Sequence, residues 1–338
     1  MNHKPVRLRD VALAAGTSTK TASRVVNGDA RVSDSTRTRV EQAVKELGYQ
    51  VDVTARSLRR GVDDTIGVVV PTIGDPFFAQ GLEMIEEMAL AMGVNLLVAS
   101  NSRSASHERE LVEGLIGRRV AGLIIAPGQA DYSFLTTMPT PVVFMDRHPL
   151  GSASGVVRVD DRGGAKAAVA HLIAHGHRRI ALVTDDPNIK TSALRRQGYH
   201  DALTDAGIVV DPNLEAIGCE VSDQAFTATE RLLGVANPPT AIFSARSETS
   251  LGVIRALHNE QREDIAFISF GDFEMADVLR PAITVIDHDP RQLAEAAMIR
   301  LRQAMEHKQV DHTDTIVPLR LITRGSGEIR PDRAVMSA

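Results

Sequence analysis

From residue 62 almost to its end, this 338-residue chain alternates short runs of β-branched and aliphatic residues with amphipathic stretches of helical length. The strand candidates are 66–70, 94–99, 122–126, 142–145, 180–183, 240–243, 265–269 and 283–286. Between most of them lie helix candidates at 78–92, 107–118, 163–175, 193–206, 225–233, 247–258 and 291–306. Such alternation implies parallel sheets covered by helices, because a parallel strand pair needs a crossover and the helix supplies it. About 270 residues exceed one doubly wound domain, so the pattern predicts two lobes with a crevice between them. The boundaries fall near 62–160 with 290–320 for one lobe and 161–289 with 321–330 for the other, leaving 331–338 as a tail. There is no fixed-period repeat and no low-complexity tract.

The first 50 residues have a different texture and read as three short helices. Leu8, Val11, Ala12 and Ala15 share a face that ends at Gly16; Thr21, Ala22, Val25 and Val26 form a second face that ends near Asn27 and Gly28. Ser33 or Asp34 can cap a third helix, striped by Val40, Ala43, Val44 and Leu47 and stopped by Gly48. Charge follows the same division. The first 61 residues hold 12 Lys and Arg against 6 Asp and Glu, a balance of +6, which leaves −11 for the remainder of a chain whose total is −5. A small basic head on an acidic body suggests a polyanion as partner of the head.

In a helix-turn-helix, a small residue at the helix contact is followed four positions later by a glycine at the left-handed turn; Ala12 and Gly16 have that spacing. Ser18 then caps the second helix. Thr19, Lys20, Ser23 and Arg24 are left on an outer face that fits a major groove, while Ala22 and Val25 look inward. An ordinary helical hairpin shares the alanine, the glycine and the apolar stripe, so these features alone do not decide between the two.

Other classes are disfavoured. The single cysteine, Cys219, forms no internal disulfide, the opening residues lack the apolar stretch of a secretory signal, and no run approaches membrane-spanning length; a cytoplasmic protein is expected. The Gly163-Gly164-Ala-Lys166 run lacks phosphate-loop spacing and opens a helix. His171 and His175, with His177 nearby, show no evident carboxylate partner and read as packing and capping residues rather than metal ligands. Glu83, Glu86 and Glu87 read as a solvated helix face. There is no nucleophile elbow, so no catalytic residue, metal or cofactor is expected.

The run LRDVALAAGTSTKTASRVVNG at 8–28, with Arg31-Val-Ser33, Thr36-Arg37, Ala43-Val44, Glu46-Leu-Gly-Tyr49 and Ala55-Arg-Ser-Leu58, resembles the lactose repressor family of bacterial transcription regulators. The likeness continues through the TIGVVVP run at 65–71, Asp75-Pro-Phe-Phe78, the VAGLII run at 120–125, His171-Leu172 and Gly176-His177, nearly the whole chain. The resemblance implies an α/β body like the periplasmic sugar-binding proteins, carrying an all-α head at 1–50 and a hinge helix at 51–61. It implies a homodimeric, allosteric repressor that binds a pseudo-palindromic operator under the control of a small-molecule effector.

By resemblance, Thr19, Lys20 and Arg24 hold base-reading positions. Ser18, Ser23, Asn27, Arg31, Ser33 and Thr36 are placed for phosphates, which fix register. Residues 53–60 resemble the hinge helix that folds only on operator, where Ala55 and Leu58 enter the minor groove and paired Leu58 side chains wedge a base step. Effector positions implied in the crevice are Asp75, Phe77, Asp146, Arg147, Arg195, Arg246 and Asp272. Each stands at the end of a strand candidate or at a helix start, where open α/β sheets bind ligands. Two departures stand out: Ala245-Arg246-Ser247 where the family commonly has Ala-Asn-Asp, and Phe270-Gly271-Asp272 where it commonly has Phe-Asp-Asp or Phe-Asp-Asn. Arg246 beside Arg195 hints at an anionic ligand; alternatively Arg246 neutralises Asp272 or Asp146. The tail after Leu321 has no leucine heptads, which argues against a coiled-coil tetramer.

Overall fold

The computed structural model describes residues 6–26, 29, 31–49, 64–102, 104–307 and 312–331. The chain divides into two compact units, Met1–Asp63 and Asp64–Ala338. Asn27 and the 51–61 segment, with Ala55 and Leu58, lie outside the described residues.

The first unit contains α1 (Leu8–Ala14), α2 (Thr19–Val26) and α3 (Asp34–Leu47). Val11, Ala12, Ala15, Ala22, Val25, Val40 and Ala43 form its buried core, the small residues letting the helices close on one another. Gly16 turns the chain at φ +60, a left-handed geometry that favours glycine. Ser18 Oγ then accepts from Thr21 N at 3.1 Å and caps α2. Gly48 stops α3 at φ +61, with Tyr49 N donating to Val44 O at 3.0 Å. Ser33 stands at the α3 N-cap, but its hydroxyl is directed to Thr36 Oγ1 at 3.0 Å instead of a backbone amide.

The second unit is built on two sheets. In the first, β1 (Thr65–Val70), β2 (Asn95–Ser100), β3 (Gly122–Ile125), β4 (Val142–Met145), β5 (Val156–Val159) and β11 (Thr315–Val317) are ordered β11-β5-β4-β3-β1-β2. All its pairings are parallel. One face packs on α4 (Pro76–Met92) and α10 (Pro290–His307), the other around α5 (Ala105–Gly117) and the buried Tyr132 and Phe144.

The second sheet contains β6 (Ile180–Val183), β7 (Glu215–Ala216), β8 (Ala241–Ser244), β9 (Ala266–Phe270), β10 (Thr284–Asp287) and β12 (Arg320–Ile322), ordered β12-β10-β9-β8-β6-β7. It is parallel except for the edge strand β12, which runs antiparallel to β10. α6 (Asp161–Ala174) and α7 (Lys190–Asp205) cover one face; α8 (Ser222–Leu233) and α9 (Ser247–Asn259) cover the other. The backbone passes between the sheets at β5–α6, β10–α10 and β11–β12, each time through only one or two residues.

Several expectations are corrected here. The chain contains β5, β7, β11 and β12 in addition to the eight strand candidates. α7 begins at Lys190, so Arg195 lies one turn and more into the helix instead of at its start. His171 does have a carboxylate partner, Glu328, at 2.6 Å, while His175 and His177 make the capping and packing contacts expected of them. Glu83 and Glu87 stay exposed, as on a solvated helix face, and in addition form ion pairs with Arg291, tying α4 to α10.

Glycine decides how closely the helices approach. A Cβ on Gly198 would lie 2.2 Å from Arg162 O, and one on Gly252 would lie 2.1 Å from Ser222 O, both on backbone that cannot move aside cheaply. Gly114, on the exposed face of α5, meets nothing within 4 Å. Gly198→Ala and Gly252→Ala should each destabilise the body by about 1–3 kcal/mol through overpacking, although alanine is the better helix former. Gly114→Ala should stabilise it by up to about 1 kcal/mol. Urea denaturation of the three variants checks the contrast in sign.

Candidate functional site

On the head, the outer face of α2 presents Thr19, Lys20 and Arg24, all exposed, opposite the buried Ala22 and Val25. Arg24 is 46% exposed, and its Nε lies 3.8 Å from Asp29 Oδ2, a distance that leaves the guanidinium available. Asp29 is engaged more firmly by Arg31, whose Nε and Nη2 donate to its two oxygens at 3.0 Å each. The Arg31 hydrogen bonds, aided by the charge of Arg24, hold the Asp29 carboxyl down at about 2. Arg31, placed for a phosphate by the sequence, therefore already has a carboxylate partner. Ser18, Ser33 and Thr36 lie near the starts of α2 and α3, where backbone amides point outward.

In the body, a cavity of about 160 Å³ opens where the carboxyl ends of both sheets face each other. Asp75, Phe77, Asp146, Arg147, Arg195 and Arg246 all line it. Asp272 does not. It lines a neighbouring cleft and is held by Arg324, at 2.8 Å from Oδ1 and 2.5 Å from Oδ2. Sequence reasoning missed Gln129, Asp185, Asp186, Thr191, Glu220 and His288. His288 directly follows β10 and Asp185 stands two positions beyond the end of β6, so the strand-end rule applied to every strand would have found them.

Each cation in the wall is matched. Arg195, 6% exposed, donates Nε to Asp161 Oδ1 at 2.8 Å and Nη1 to Ala245 O at 2.7 Å, and its guanidinium lies 3.9 Å from the centre of the Phe270 ring. Three supports fix it and leave Nη2 as the remaining donor of a residue that lines the cavity. Arg147 pairs with Asp146, at 2.9 Å from Nε and 2.8 Å from Nη2. Asp146 holds its position in a left-handed backbone conformation, φ +75, a strain typical of binding sites. Arg246 donates Nη2 to Asp75 Oδ2 at 2.9 Å and Nη1 to Asp185 Oδ2 at 3.1 Å. The partners suggested by sequence, Asp272 and Asp146, are thus taken by Arg324 and Arg147.

Burial leaves its mark on two groups. It pushes the Asp161 carboxyl up to about 6 against the pull of Arg195, with the charge of Asp146 adding to the rise. It pushes His288 down to about 3, with Arg195 adding to the fall, so this imidazole is neutral at physiological pH. Its ring stacks on Phe77 at 4.7 Å and 8°, and Phe270 meets it edge-on at 5.3 Å. The cavity therefore combines a flat aromatic wall with rigid, charge-matched polar groups. Among the described residues no group of His, Cys, Asp and Glu side chains is arranged to hold a metal ion, and no helix is long and apolar enough to cross a membrane.

Residues 7–52 match the family model for bacterial regulatory proteins of the lacI family, and 169–327 match that for the periplasmic binding protein-like domain. The ribose operon repressor of Escherichia coli K12 is 30% identical over 298 residues, covering 86% of this chain and 90% of that protein. The transcriptional repressor CytR of the same strain is 29% identical over 331 residues, covering 96% and 97%. A crystal structure of the lac repressor dimer bound to operator and the anti-inducer ONPF superposes with a TM-score of 0.85 at 29% identity, covering 96% of this chain and 99% of that one. With its helix-turn-helix head and its two-lobed body, the chain belongs to the lacI family of bacterial regulatory proteins, DNA-binding transcription regulators without enzymatic activity.

Proposed function

We propose that this chain is a homodimeric repressor whose hold on a pseudo-palindromic operator is set by a compact, neutral polyhydroxy ligand, about one sugar ring in size, bound in the crevice. The observation that carries the ligand class is the pairing of every cation in the wall. All three guanidiniums in the wall already hold carboxylates. The lining counts Asp75, Asp146, Asp185, Asp186 and Glu220 against Arg147, Arg195 and Arg246. An anion entering there would gain no free cation and would face excess negative charge in a partly desolvated site. The sequence-based hint of an anionic effector is accordingly set aside. Hydroxyl groups suit what is left: the third donor edge of Arg195, the Thr191 hydroxyl, the Gln129 amide and carboxylate lone pairs. A ring's C–H face suits the Phe77–His288 stack. A cavity of 150 Å³ accommodates benzene, so about 160 Å³ fits a single ring.

On the head, Thr19, Lys20 and Arg24 read base edges, and Ser18, Ser23, Asn27, Arg31, Ser33 and Thr36 engage phosphates. Ala55 and Leu58 keep the minor-groove role that their sequence resemblance implies. Residues 1–50, 51–61 and 62–330 serve as head, hinge and effector body. A two-fold operator calls for a two-fold protein, and the exposed Leu251, Met275 and Val278 offer apolar surface for the pairing. The dimer works in the cytoplasm on nucleoid DNA. The shift in operator affinity can be no larger than the effector's preference for one body conformation over another.

Three measurements test this reading. Arg24→Ala should lose discrimination at one operator base pair, by about 5- to 150-fold, the equivalent of about 1–3 kcal/mol, whereas Thr36→Ala should weaken all sequences alike; competition binding on operator variants separates the two. Arg195→Lys, which keeps the charge beside Asp161 but loses the fixed third donor, should weaken a responsive sugar by about 10-fold or more in calorimetry, since a hydrogen bond to a charged group contributes ~1.5–3 kcal/mol. Binding of acidic metabolites in preference to neutral sugars would overturn the ligand class.

The third measurement uses pH. Asp161 binds its proton more tightly in the folded protein, near 6, than in the unfolded chain, so the folded state holds more protons between about pH 4 and 6. Stability relative to Asp161→Asn should therefore fall as pH rises through that window and level off above it. Denaturant titrations at pH 4.5, 6 and 7.5 check the sign.

A further inference from the structure

Arg246 stands at the start of α9 in the second lobe, and its guanidinium is shared by carboxylates of opposite lobes. One bond runs across the crevice to Asp75, the other to Asp185 on its own side. The three side chains are 15, 11 and 7% exposed respectively, so the bridge is largely shielded from water and from salt. Asp75 is a fixed anchor: it is the N-cap of α4, and its Oδ1 accepts from Phe77 N at 3.1 Å. A second contact reinforces the first, with Gln129 Nε2 of the first lobe donating to Asp186 Oδ2 of the second at 3.2 Å. Hydrogen bonding to both lobes at once is what a ligand does in a two-lobed receptor. Here a side chain of the protein does it, from the position where the resembling family commonly carries an asparagine, a side chain too short to span the same gap.

We propose that Arg246 is the specificity-determining residue of the crevice: it acts as a built-in occupant that draws the lobes together without ligand and confines the remaining space to small, uncharged effectors. The inference rests on the reading that the crevice holds the effector. Arg246 walls the cavity, so its bulk limits ligand size. By neutralising Asp75 and Asp185 it also removes the two carboxylates that would otherwise attract a cationic ligand. Shortening it therefore has two consequences together: the lobes part, and the vacated place becomes a guanidinium site.

The test uses the full-length protein and methylguanidinium as the probe. Arg246→Ala should show a larger radius of gyration in small-angle scattering, return to the native value with methylguanidinium, and bind that cation at least 10-fold more tightly than the native protein does in calorimetry. Asp75→Asn in the same background should abolish the gain, and circular dichroism confirms that each variant is folded. Arg246→Gln, close in bulk but uncharged, should also open the lobes. Unchanged scattering for folded Arg246→Ala and Arg246→Gln, or equal methylguanidinium binding by native and variant, would overturn the proposal. Ribose, galactose and glucose, titrated in parallel, separate the two readings. Guanidinium rescue with none of the three bound would sustain the bridge and remove the one-ring sugar reading; sugar binding without rescue would overturn the bridge alone.

Discussion

A parallel sheet must be covered on both faces, and most of this chain's architecture follows from meeting that demand twice. β1, β3 and β4 are buried almost throughout, as are β6, β8 and β9. Each sheet takes two layers of helices, which uses up the amphipathic stretches and leaves only one or two residues at each of the three crossings between sheets. The lobes are rigid because their cores are closely packed, with Gly198 and Gly252 allowing helices to meet backbone to backbone. The crossings are where relative movement is least opposed, since they carry few of the packing contacts that hold each lobe together.

The same topology points the carboxyl ends of both sheets at one crevice, and the loops and helices there carry much of the body's buried charge, with Asp146, Asp161, Asp185 and Arg195 among it. Burial makes such charges expensive unless paired, and the pairing divides into two kinds. Arg195 with Asp161, and Arg147 with Asp146, each lie within one lobe and fix the direction in which donors face the cavity. Arg246 with Asp75 joins the lobes. The first kind preorganises a binding surface, because a guanidinium already held by its partner loses little freedom when a hydroxyl arrives. The second kind makes closure itself sensitive to what enters the crevice.

Much of this was legible in the residues. The eight strand candidates and seven helix candidates of the body all exist, with ends shifted by a few residues, because long amphipathic and apolar runs carry a strong periodic signal. Of the strands that escaped notice, β7, β11 and β12 span only two or three residues, too short for any period to show, and the four residues of β5 are interrupted by Arg158. Six of the seven expected crevice residues line the cavity, since each follows a strand end or belongs to a motif of the resembling family. Asp272 does not, because Arg324 from the far end of the chain pairs with it, and a contact across 52 positions leaves no local trace.

What the sequence determined by itself was the class of the molecule: a basic three-helix head, an α/β body of two lobes, and the strand ends that supply the site. Those properties are local or additive, set by periodicity, turn chemistry and charge count. Only the tertiary structure decided which cation meets which carboxylate. Read along the chain, Arg195 and Arg246 suggest a trap for anions; folded, each is already satisfied by Asp161, Asp75 and Asp185. Coulomb energy in a buried site depends on distances of a few ångströms between residues 34 to 171 positions apart, and only the folded chain sets those distances.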